Sequence, residues 1–243
     1  VLQTCERAVE IQKNVGTAEI WIHGFVSRQK IYKKGRTAGL KMGKLIVIDG
    51  VDSSGKQTHT EMLAERLIKD GYDVKRLSFP DYDSPSSSLV KMYLSGQFGE
   101  NPDDVNAYAA SSFFAADRFA SYRTKWKSDY LNKNKIIIAD RYVSSNMIHQ
   151  ASKLETEEEK NKFLNWLSEL EYDIYGIPKP DITFFLDMPV ECAELLMKER
   201  KNKFSGEEQK DIHESNRDYL EKSYNNACHA AKSLGWHRID CTR

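Results

Sequence analysis

A glycine-bounded loop between a predicted strand and a predicted helix is the feature that most restricts the fold of this chain. The β-branched run at residues 44–49 leads into Gly50-Val-Asp-Ser-Ser-Gly-Lys-Gln-Thr58, and a stretch rich in Leu, Ala and Glu follows. In this context successive backbone N–H groups can converge on phosphate oxygens, and the helix N-terminus adds positive potential. The alternative is a glycine turn that caps an ordinary helix, but both glycines and Lys56 in this order favour a phosphate loop.

The end of this loop departs from the GxxxxGK[ST] pattern. Gln57 stands where a Ser or Thr normally binds magnesium, and Thr58 follows one residue late. The departure weakens the prediction of a magnesium ligand but not that of a phosphate site. The predicted ATP-binding residues are Gly50, Val51, Asp52, Ser53, Ser54, Gly55, Lys56, Gln57 and Thr58.

From residue 44 onward, short β-branched runs alternate with longer helical stretches, which is typical of a parallel sheet with helices on both faces. A chain of 243 residues can bury the core of one such domain. The sequence therefore predicts an α/β, three-layer P-loop NTPase fold with a five-stranded parallel sheet. Strands are predicted at 44–49, 74–79, 135–140, 181–187 and 236–240, and helices at about 57–70, 86–97, 103–131, 157–173, 189–200 and 211–234.

Residues 1–41 differ from the rest of the chain. They contain a basic stretch at 28–36 and no motif connected to chemistry, whereas Met42 begins a segment that runs straight into the first strand. We expect residues 1–41 to be a dispensable or non-native extension of a domain at 42–243. A transit peptide is the alternative, but acidic residues at positions 6, 10 and 19 count against it because such peptides are poor in acid.

Charge, cysteine spacing and apolar runs exclude several classes of protein. The 36 basic residues are balanced by 36 acidic ones, whereas a non-specific binder of nucleic acid or anionic membrane needs a basic excess. The longest apolar runs are far shorter than the roughly 20 residues that cross a bilayer. The cysteines lie far apart and include no CxxC pair, so neither a zinc site nor a disulfide-rich scaffold is predicted. We expect a protein of the reducing cytoplasm that binds neither nucleic acid nor membrane.

The segment from Asp140 to Gln150 resembles thymidylate kinases, which place DR[YFH]xxSxxxYQ at the end of the third strand. Four other segments agree in order, namely Gly50-Val-Asp52, Phe79-Pro80, Phe114-Ala-Ala-Asp-Arg118 and Gly176-Ile-Pro-Lys-Pro-Asp181. The resemblance covers residues 44 to about 240. It implies a P-loop nucleoside monophosphate kinase with a short lid, which transfers the γ-phosphoryl group of ATP to dTMP with Mg²⁺ as cofactor. It also implies a homodimer that pairs beside the helix of Phe114 and Arg118, which form the FxxxR segment of the family. The surplus of aromatic residues in that helix fits an interface.

The resemblance implies an acceptor site, and the spacing of its residues supports that reading. Phe114 and Arg118 share one helix face, where a ring can stack on a base and a guanidinium can bond a carbonyl. Core packing for Phe114 and an ion pair for Arg118 are the alternatives. Arg141 follows a strand end, where ligands of open α/β sheets bind, and could clamp the acceptor phosphate. The other predicted acceptor-binding residues are Phe79, Pro80, Ser145, Asn146, Gln150 and His149, which replaces the tyrosine that the family usually has under the sugar.

The resemblance also implies catalytic and metal-binding roles. The predicted catalytic residues are Lys56, Arg141, Asp52 and, in a basic lid at 198–206, Arg200. The predicted magnesium ligands are Asp52, Asp140 at the end of the third strand, and Glu214 in the segment after the lid. A helix N-cap is the alternative role for Asp140, and a capped helix start is that for the segment of Glu214.

Three other functions stay open at this point. The same architecture could phosphorylate another nucleoside monophosphate or a free deoxynucleoside. A nucleotide-binding switch would lack an acceptor site, and no NKxD or DxxG motif of such a switch follows the third strand. An inactive paralogue is the third possibility, and it rests on Gln57.

Overall fold

Five parallel strands form one sheet at the centre of the chain, in the order β2-β3-β1-β4-β5. The computed structural model describes residues 42–197, 212–213 and 216–242. The strands are β1 Lys44–Gly50, β2 Asp73–Ser78, β3 Lys135–Asp140, β4 Ile182–Asp187 and β5 His237–Asp240. The predicted five-stranded parallel sheet is therefore confirmed, with boundaries that differ by about one residue.

The helices connect the strands and cover both faces of the sheet. The α-helices are α1 Lys56–Lys69, α2 Ser88–Leu94, α3 Ala107–Ser121, α4 Lys127–Leu131, α5 Val143–His149, α6 Glu157–Ser168, α7 Val190–Met197 and α8 Arg217–Ser233. Short 3₁₀ turns lie at Pro85–Ser87, Pro102–Asp104 and Ala151–Lys153, and π-helical turns at Tyr122–Trp126 and Glu169–Ile174.

One predicted helix differs in its bounds, and one observed helix was not predicted. The predicted helix at 103–131 begins only at residue 107, because the Asn106 side chain accepts a hydrogen bond from the Ala109 N–H and caps α3. A π turn then interrupts it at Tyr122–Trp126. The short helix α5 was not among the predicted helices, because its seven residues carry too little periodicity to mark a helix in sequence.

The core consists of two apolar layers, one on each face of the sheet. Along β1, Leu45 and Val47 face one layer while Ile46 and Ile48 face the other. This period of two follows from the alternation of side chains along a strand. Because both faces of β1 are fully buried, the strand reads as a continuous apolar run rather than an alternating one.

The strand order reverses beside β1, and that reversal positions the functional site. β1 pairs with β3 on one side and β4 on the other, and Ile48 lies opposite Asp140. Open α/β sheets bind ligands in the crevice at the carboxyl ends of their strands, where the order reverses. The loop after Gly50 and the turn after Asp140 both lie at this crevice, since the Arg141 N–H donates to the Ile48 carbonyl at 3.0 Å. In the described part of the chain, no helix is both long and apolar enough to cross a bilayer.

Candidate active site

The loop between β1 and α1 has the backbone geometry of an anion cradle. Ser53 and Gly55 adopt positive φ angles of 59° and 85°, and no side chain caps the N-terminus of α1. The first backbone N–H groups of α1 therefore need a partner from outside the helix. A Cβ atom on Gly50 would lie 2.7 Å from Ser54 Oγ and 2.8 Å from the Leu186 carbonyl oxygen, so only glycine fits there.

Lys56 folds back onto this loop. Its Nζ donates to the carbonyl oxygens of Gly50 at 3.1 Å and Val51 at 2.6 Å, and its side chain is buried. Burial, with repulsion from Arg141, lowers the pKa of Lys56 to about 7. A bound phosphate would restore the favourable charge environment, so the lysine is arranged to gain from an anion in the loop.

Two predicted ATP-binding residues lie on the outer surface of α1. Gln57 and Thr58 are exposed, and the Gln57 side-chain amide donates to the Glu61 carboxylate at 3.3 Å. Within the described residues, the hydroxyl oxygens of Ser53 and Ser54 are buried without a hydrogen-bond partner. A buried polar group without a partner is costly, so these two serines are better placed than Gln57 or Thr58 to meet a ligand.

An ion pair between Arg141 and Asp52 connects the phosphate loop to the end of β3. Arg141 Nη2 donates to Asp52 Oδ1, and Arg141 Nη1 lies 3.4 Å from His149 Nε2. Burial raises the pKa of Asp52, but the nearby positive charges, with Arg141 the strongest, together outweigh burial and hold that pKa well below its ordinary value. Arg141 has a φ of 67°, a left-handed conformation that is uncommon outside glycine and clusters at functional sites.

A pocket beside this ion pair brings together all the predicted acceptor-binding residues. Its walls contain Phe79, Pro80, Phe114, Arg118, Arg141, Ser145, Asn146, His149 and Gln150, together with Asp52. The peptide bond between Phe79 and Pro80 is cis. These positions come from four separate segments of the chain, so their convergence is a property of the fold rather than of sequence proximity.

Four lining residues were missed by sequence reasoning: Tyr82, Leu94, Asp117 and His213. Asp117 lies inside the FxxxR segment, and its carboxylate accepts hydrogen bonds from the Asp81 N–H at 2.8 Å and the Ser86 hydroxyl at 2.6 Å. His213 lies next to the predicted metal ligand at position 214. Both could have been found by extending a motif to its neighbours, whereas nothing in the sequence marks Tyr82 or Leu94.

Several pocket side chains are already engaged within the protein. Arg118 forms a bidentate ion pair with Glu171, so the alternative of an ion pair holds alongside its place in the pocket. Ser145 Oγ lies 3.0 and 2.9 Å from the two carboxylate oxygens of Asp49. Asn146 Nδ2 donates to the Ser111 carbonyl at 3.3 Å. These bonds fix the side chains before a ligand binds.

Two buried histidines form one wall of the pocket. The rings of His149 and His213 stack at 6.0 Å, and Tyr219 packs against both. Burial lowers the pKa of His149 to about 3 and that of His213 well below its usual range, so both are neutral at neutral pH. Since Arg141 can only donate, His149 Nε2 accepts and Nδ1 carries the proton. That N–H has no acceptor in the part of the chain described here.

The predicted metal ligands differ in whether their carboxylate oxygens are free to bind a metal. Asp140 Oδ1 is buried at the end of β3 and has no hydrogen-bond partner among the described residues, whereas Asp52 is held by Arg141. No group of three or more His, Cys, Asp or Glu side chains within the described ranges could hold a metal. Mg²⁺ is usually bound by one or two carboxylates together with substrate phosphates and water, which Asp140 fits. Arg200, Glu214 and the lid at 198–206 lie outside the described residues.

Comparison with known proteins identifies the family. The family model described as thymidylate kinase matches residues 48–239. A thymidylate kinase of Mycobacterium tuberculosis H37Rv is 33% identical over 150 residues, which are 61% of this chain and 68% of the relative. One of Plasmodium falciparum 3D7 is 26% identical over 204 residues, which are 84% of each chain. The solved structure of a thymidylate kinase from Candida albicans shares the fold, with a TM-score of 0.58 and 24% identity over 82% of this chain and 84% of that one. The chain therefore belongs to the thymidylate kinase family.

Proposed function

We propose that this thymidylate kinase binds ATP in the loop of residues 50–58 and dTMP in the adjacent pocket, and transfers the γ-phosphoryl group between them. The observation that carries this proposal is the pocket itself. Every acceptor-binding residue predicted from the motifs lines it, and the ion pair of Arg141 with Asp52 joins it to the phosphate loop. A nucleotide-binding switch would have no use for such a second pocket.

Phosphoryl transfer requires alignment and neutralisation of charge more than covalent chemistry. Lys56 already lies within the loop and is partly discharged by burial, so the donor phosphates gain a cation when they bind. Arg141 faces the acceptor phosphate from the end of β3, where its guanidinium is oriented by Asp52. Together they hold the two substrates on either side of the reacting phosphorus atom.

The base and sugar of the acceptor have separate partners. The ring of Phe114 is fixed by an edge contact with Tyr93, at a centroid distance of 6.2 Å and 90° between planes, and it offers a surface for stacking. Arg118 faces a carbonyl on the edge of the thymine. His149 lies under the sugar, where its Nδ1 N–H is available to a hydroxyl oxygen.

Asp140 is the described residue that best fits a magnesium ligand, through its unpartnered carboxylate oxygen. When bound, Mg²⁺ neutralises charge on the phosphate oxygens. Asp52 contributes to the same environment less directly, because its pair with Arg141 already occupies one oxygen. Arg200 as a closing cation of the lid and Glu214 as a further ligand remain proposals on residues outside the described part of the chain.

We also propose that the protein is a cytoplasmic homodimer. Its exposed side includes Phe119 on α3, which contacts Tyr175 at 5.1 Å between ring centroids, and the adjacent Ile174, which is 68% exposed. An apolar group of this kind on the helix of the FxxxR segment is suited to pairing with a second copy. Residues 1–41 have no part in the proposed mechanism.

The direct test is a coupled ADP-release assay with dTMP, dUMP, UMP, CMP, AMP and thymidine as acceptors. We expect turnover to be highest with dTMP, and weaker with dUMP because it lacks the methyl group. A higher turnover with thymidine than with dTMP would show that the protein is a deoxynucleoside kinase. ATP binding without turnover of any acceptor would support the inactive paralogue.

A further inference from the structure

Glu171 is a buried carboxylate that the phosphoryl-transfer step does not use. It lies in the π turn Glu169–Ile174, and its side chain is 0% exposed, while that of Arg118 is 2% exposed. Arg118 Nε donates to Glu171 Oε2 at 2.7 Å, and Arg118 Nη2 donates to Oε1 at 2.6 Å. A buried ion pair is often no more stabilising than an apolar pair of the same volume, so stability alone is a weak reason for this one.

The pair leaves a defined part of the Arg118 guanidinium for a ligand. The group has five N–H donors in one plane. The Nε donor and one on Nη2 bond Glu171, and one on Nη1 donates to the Tyr142 carbonyl at 3.3 Å. The remaining donors on Nη1 and Nη2 are not used by these bonds, and Arg118 lines the acceptor pocket next to Phe114. The Glu171 carboxylate thus fixes the plane of the Arg118 guanidinium.

Glu171 also sets the charge of this part of the pocket. Burial opposes the guanidinium charge, but the Glu171 carboxylate outweighs it and raises the pKa of Arg118. Burial raises the pKa of Glu171 as well, yet the bidentate contact of both oxygens is that of an ionised pair. A lone buried guanidinium would attract an anion such as phosphate, whereas a neutralised one favours a neutral acceptor such as a base carbonyl.

We propose that Glu171 is the positioning residue for base recognition, which acts through Arg118 by presenting a neutral, oriented pair of donors to a carbonyl on the edge of the pyrimidine. This inference rests on the proposed function, since it assigns a cause to the preference for thymine. Three elements converge on the guanidinium, namely α3, the turn after β3 and the π turn after α6. Glu171 is not among the residues that line the pocket, so the π turn places its carboxylate behind Arg118, and such turns often occur at functional sites.

The test compares wild type, Glu171→Gln, Arg118→Met and the double variant Arg118→Met/Glu171→Gln with dTMP and dCMP. Glutamine keeps one acceptor oxygen but turns an amide N–H₂ toward the guanidinium, so one bond is lost and the charge is uncompensated. We expect Glu171→Gln to raise KM for dTMP by about tenfold and to lower the ratio of kcat/KM for dTMP over dCMP by about tenfold. KM for ATP should change by less than about twofold, because the donor loop is not touched.

The double variant tests whether Glu171 acts through Arg118. If it does, Arg118→Met and the double variant have the same dTMP-to-dCMP ratio. Glu171→Asp keeps the charge on a shorter arm and should give an intermediate ratio, and it decides the outcome if Glu171→Gln does not fold. An unchanged ratio, or a parallel loss for dTMP, dCMP and ATP with a lower Tm, overturns the inference. So does failure of both single Glu171 variants to fold, which would make the residue structural. Absence of dTMP turnover in wild type would instead refute the proposed function.

Discussion

The carboxylate of Asp52 lies inside a loop built to bind anions, and its partner explains why it is there. Its ion pair with Arg141 spans the donor and acceptor halves of the site. Arg141 cannot rotate freely, because its backbone is held in a left-handed conformation and its guanidinium is bonded to Asp52 and lies against His149. Charge at this site is therefore arranged before substrates arrive, which reduces reorganisation during the reaction.

Replacing Lys56 by Met should abolish turnover while leaving dTMP affinity within about twofold, because the lysine contacts the donor loop. Calorimetry provides a second readout. Since the pKa of Lys56 is about 7 in the free protein and phosphates raise it, ATP binding near pH 8 should take up as much as about one proton in wild type and less in Lys56→Met. Titration in two buffers of different ionisation enthalpy measures this uptake.

Lys69, exposed at the end of the same helix, gives the matched control. Lys69→Met should retain both turnover and proton uptake. A loss of dTMP affinity in Lys56→Met, with ATP affinity unchanged, would contradict the assignment of the lysine to the donor.

His149 should make the protein less stable in acid. Its pKa is about 3 when folded and about 6.5 when unfolded, so the unfolded chain takes up a proton as pH falls through 6.5 while the native one does not. The neighbouring Arg141 adds to the burial that keeps it neutral, although Asp52 opposes this. Stability is therefore lost between about pH 6.5 and 3. Relative to His149→Phe, wild type should lose about 2 kcal/mol of unfolding free energy between pH 7 and 5.

Urea denaturation at a series of pH values measures this difference. The control is His229→Gln, because His229 is 57% exposed on α8 and its removal accounts for any general effect of losing a histidine. Curves for wild type and His149→Phe that stay parallel from pH 7 to 5 would show that the pKa of His149 is the same in the folded and the unfolded chain.

At the scale of the element, each of the two π turns directly follows an α-helix. One ends α3, which carries Phe114 and Arg118, and the other follows α6 and carries Glu171. In each case the helix continues as α-helix up to the point where a widened turn changes the direction of the next side chains. Aromatic residues such as Trp126 then pack into the core beneath the sheet.

The capping box of α6 gives a prediction at this scale. Thr156 Oγ1 accepts from the Glu159 N–H at 3.2 Å, and the Glu159 carboxylate accepts from the Thr156 N–H at 3.0 Å. Thr156→Ala should lower the free energy of unfolding by about 1 kcal/mol, since the Glu159 N–H loses its acceptor and the Glu159 carboxylate loses the threonine hydroxyl. Urea denaturation measures the loss, with the exposed Lys162→Ala as control, for which we expect a change within about 0.5 kcal/mol. Equal stabilities would show that water replaces the cap.

At the scale of the whole molecule, the structure weakens the argument for a homodimer from the aromatic residues at 103–131. The aromatic residues of the predicted long helix mostly find partners within the chain: Tyr122 packs on Trp126, and Tyr108 packs on Trp166. The number of aromatic residues in this helix therefore does not require an interface with a second copy of the chain. Exposed Phe119 beside Tyr175 is the part of that argument that remains.

Light scattering at micromolar concentration should give twice the mass of the chain. Phe119→Glu should shift the mass toward that of a monomer, because a charge at an apolar interface is strongly unfavourable. The matched control is Leu131→Glu, at an exposed apolar position on α4. A monomeric mass for wild type would remove the proposal.

Deleting residues 1–41 should leave kcat/KM for dTMP within about twofold, because the proposed mechanism uses no residue before β1. Enzyme assay and thermal denaturation of the shortened chain test this. A large loss of folded protein would show that the extension is structural.

The sequence by itself determined the sheet and the glycine loop after β1, because each depends on local patterns, and the family resemblance supplied most of the residues that line the pocket. A buried parallel strand requires an apolar run, a phosphate cradle requires glycines followed by Lys56, and strand ends must meet at one edge of the sheet. Only the tertiary structure decided which side chain each of these pocket residues contacts. Arg118 meets Glu171 across 53 positions, Arg141 meets Asp52 across 89, and the stack of His149 on His213 joins α5 to the segment after the lid. Such pairs depend on how the helices pack and on the direction of the side chains at the π turns, and no local pattern in one sequence encodes that geometry.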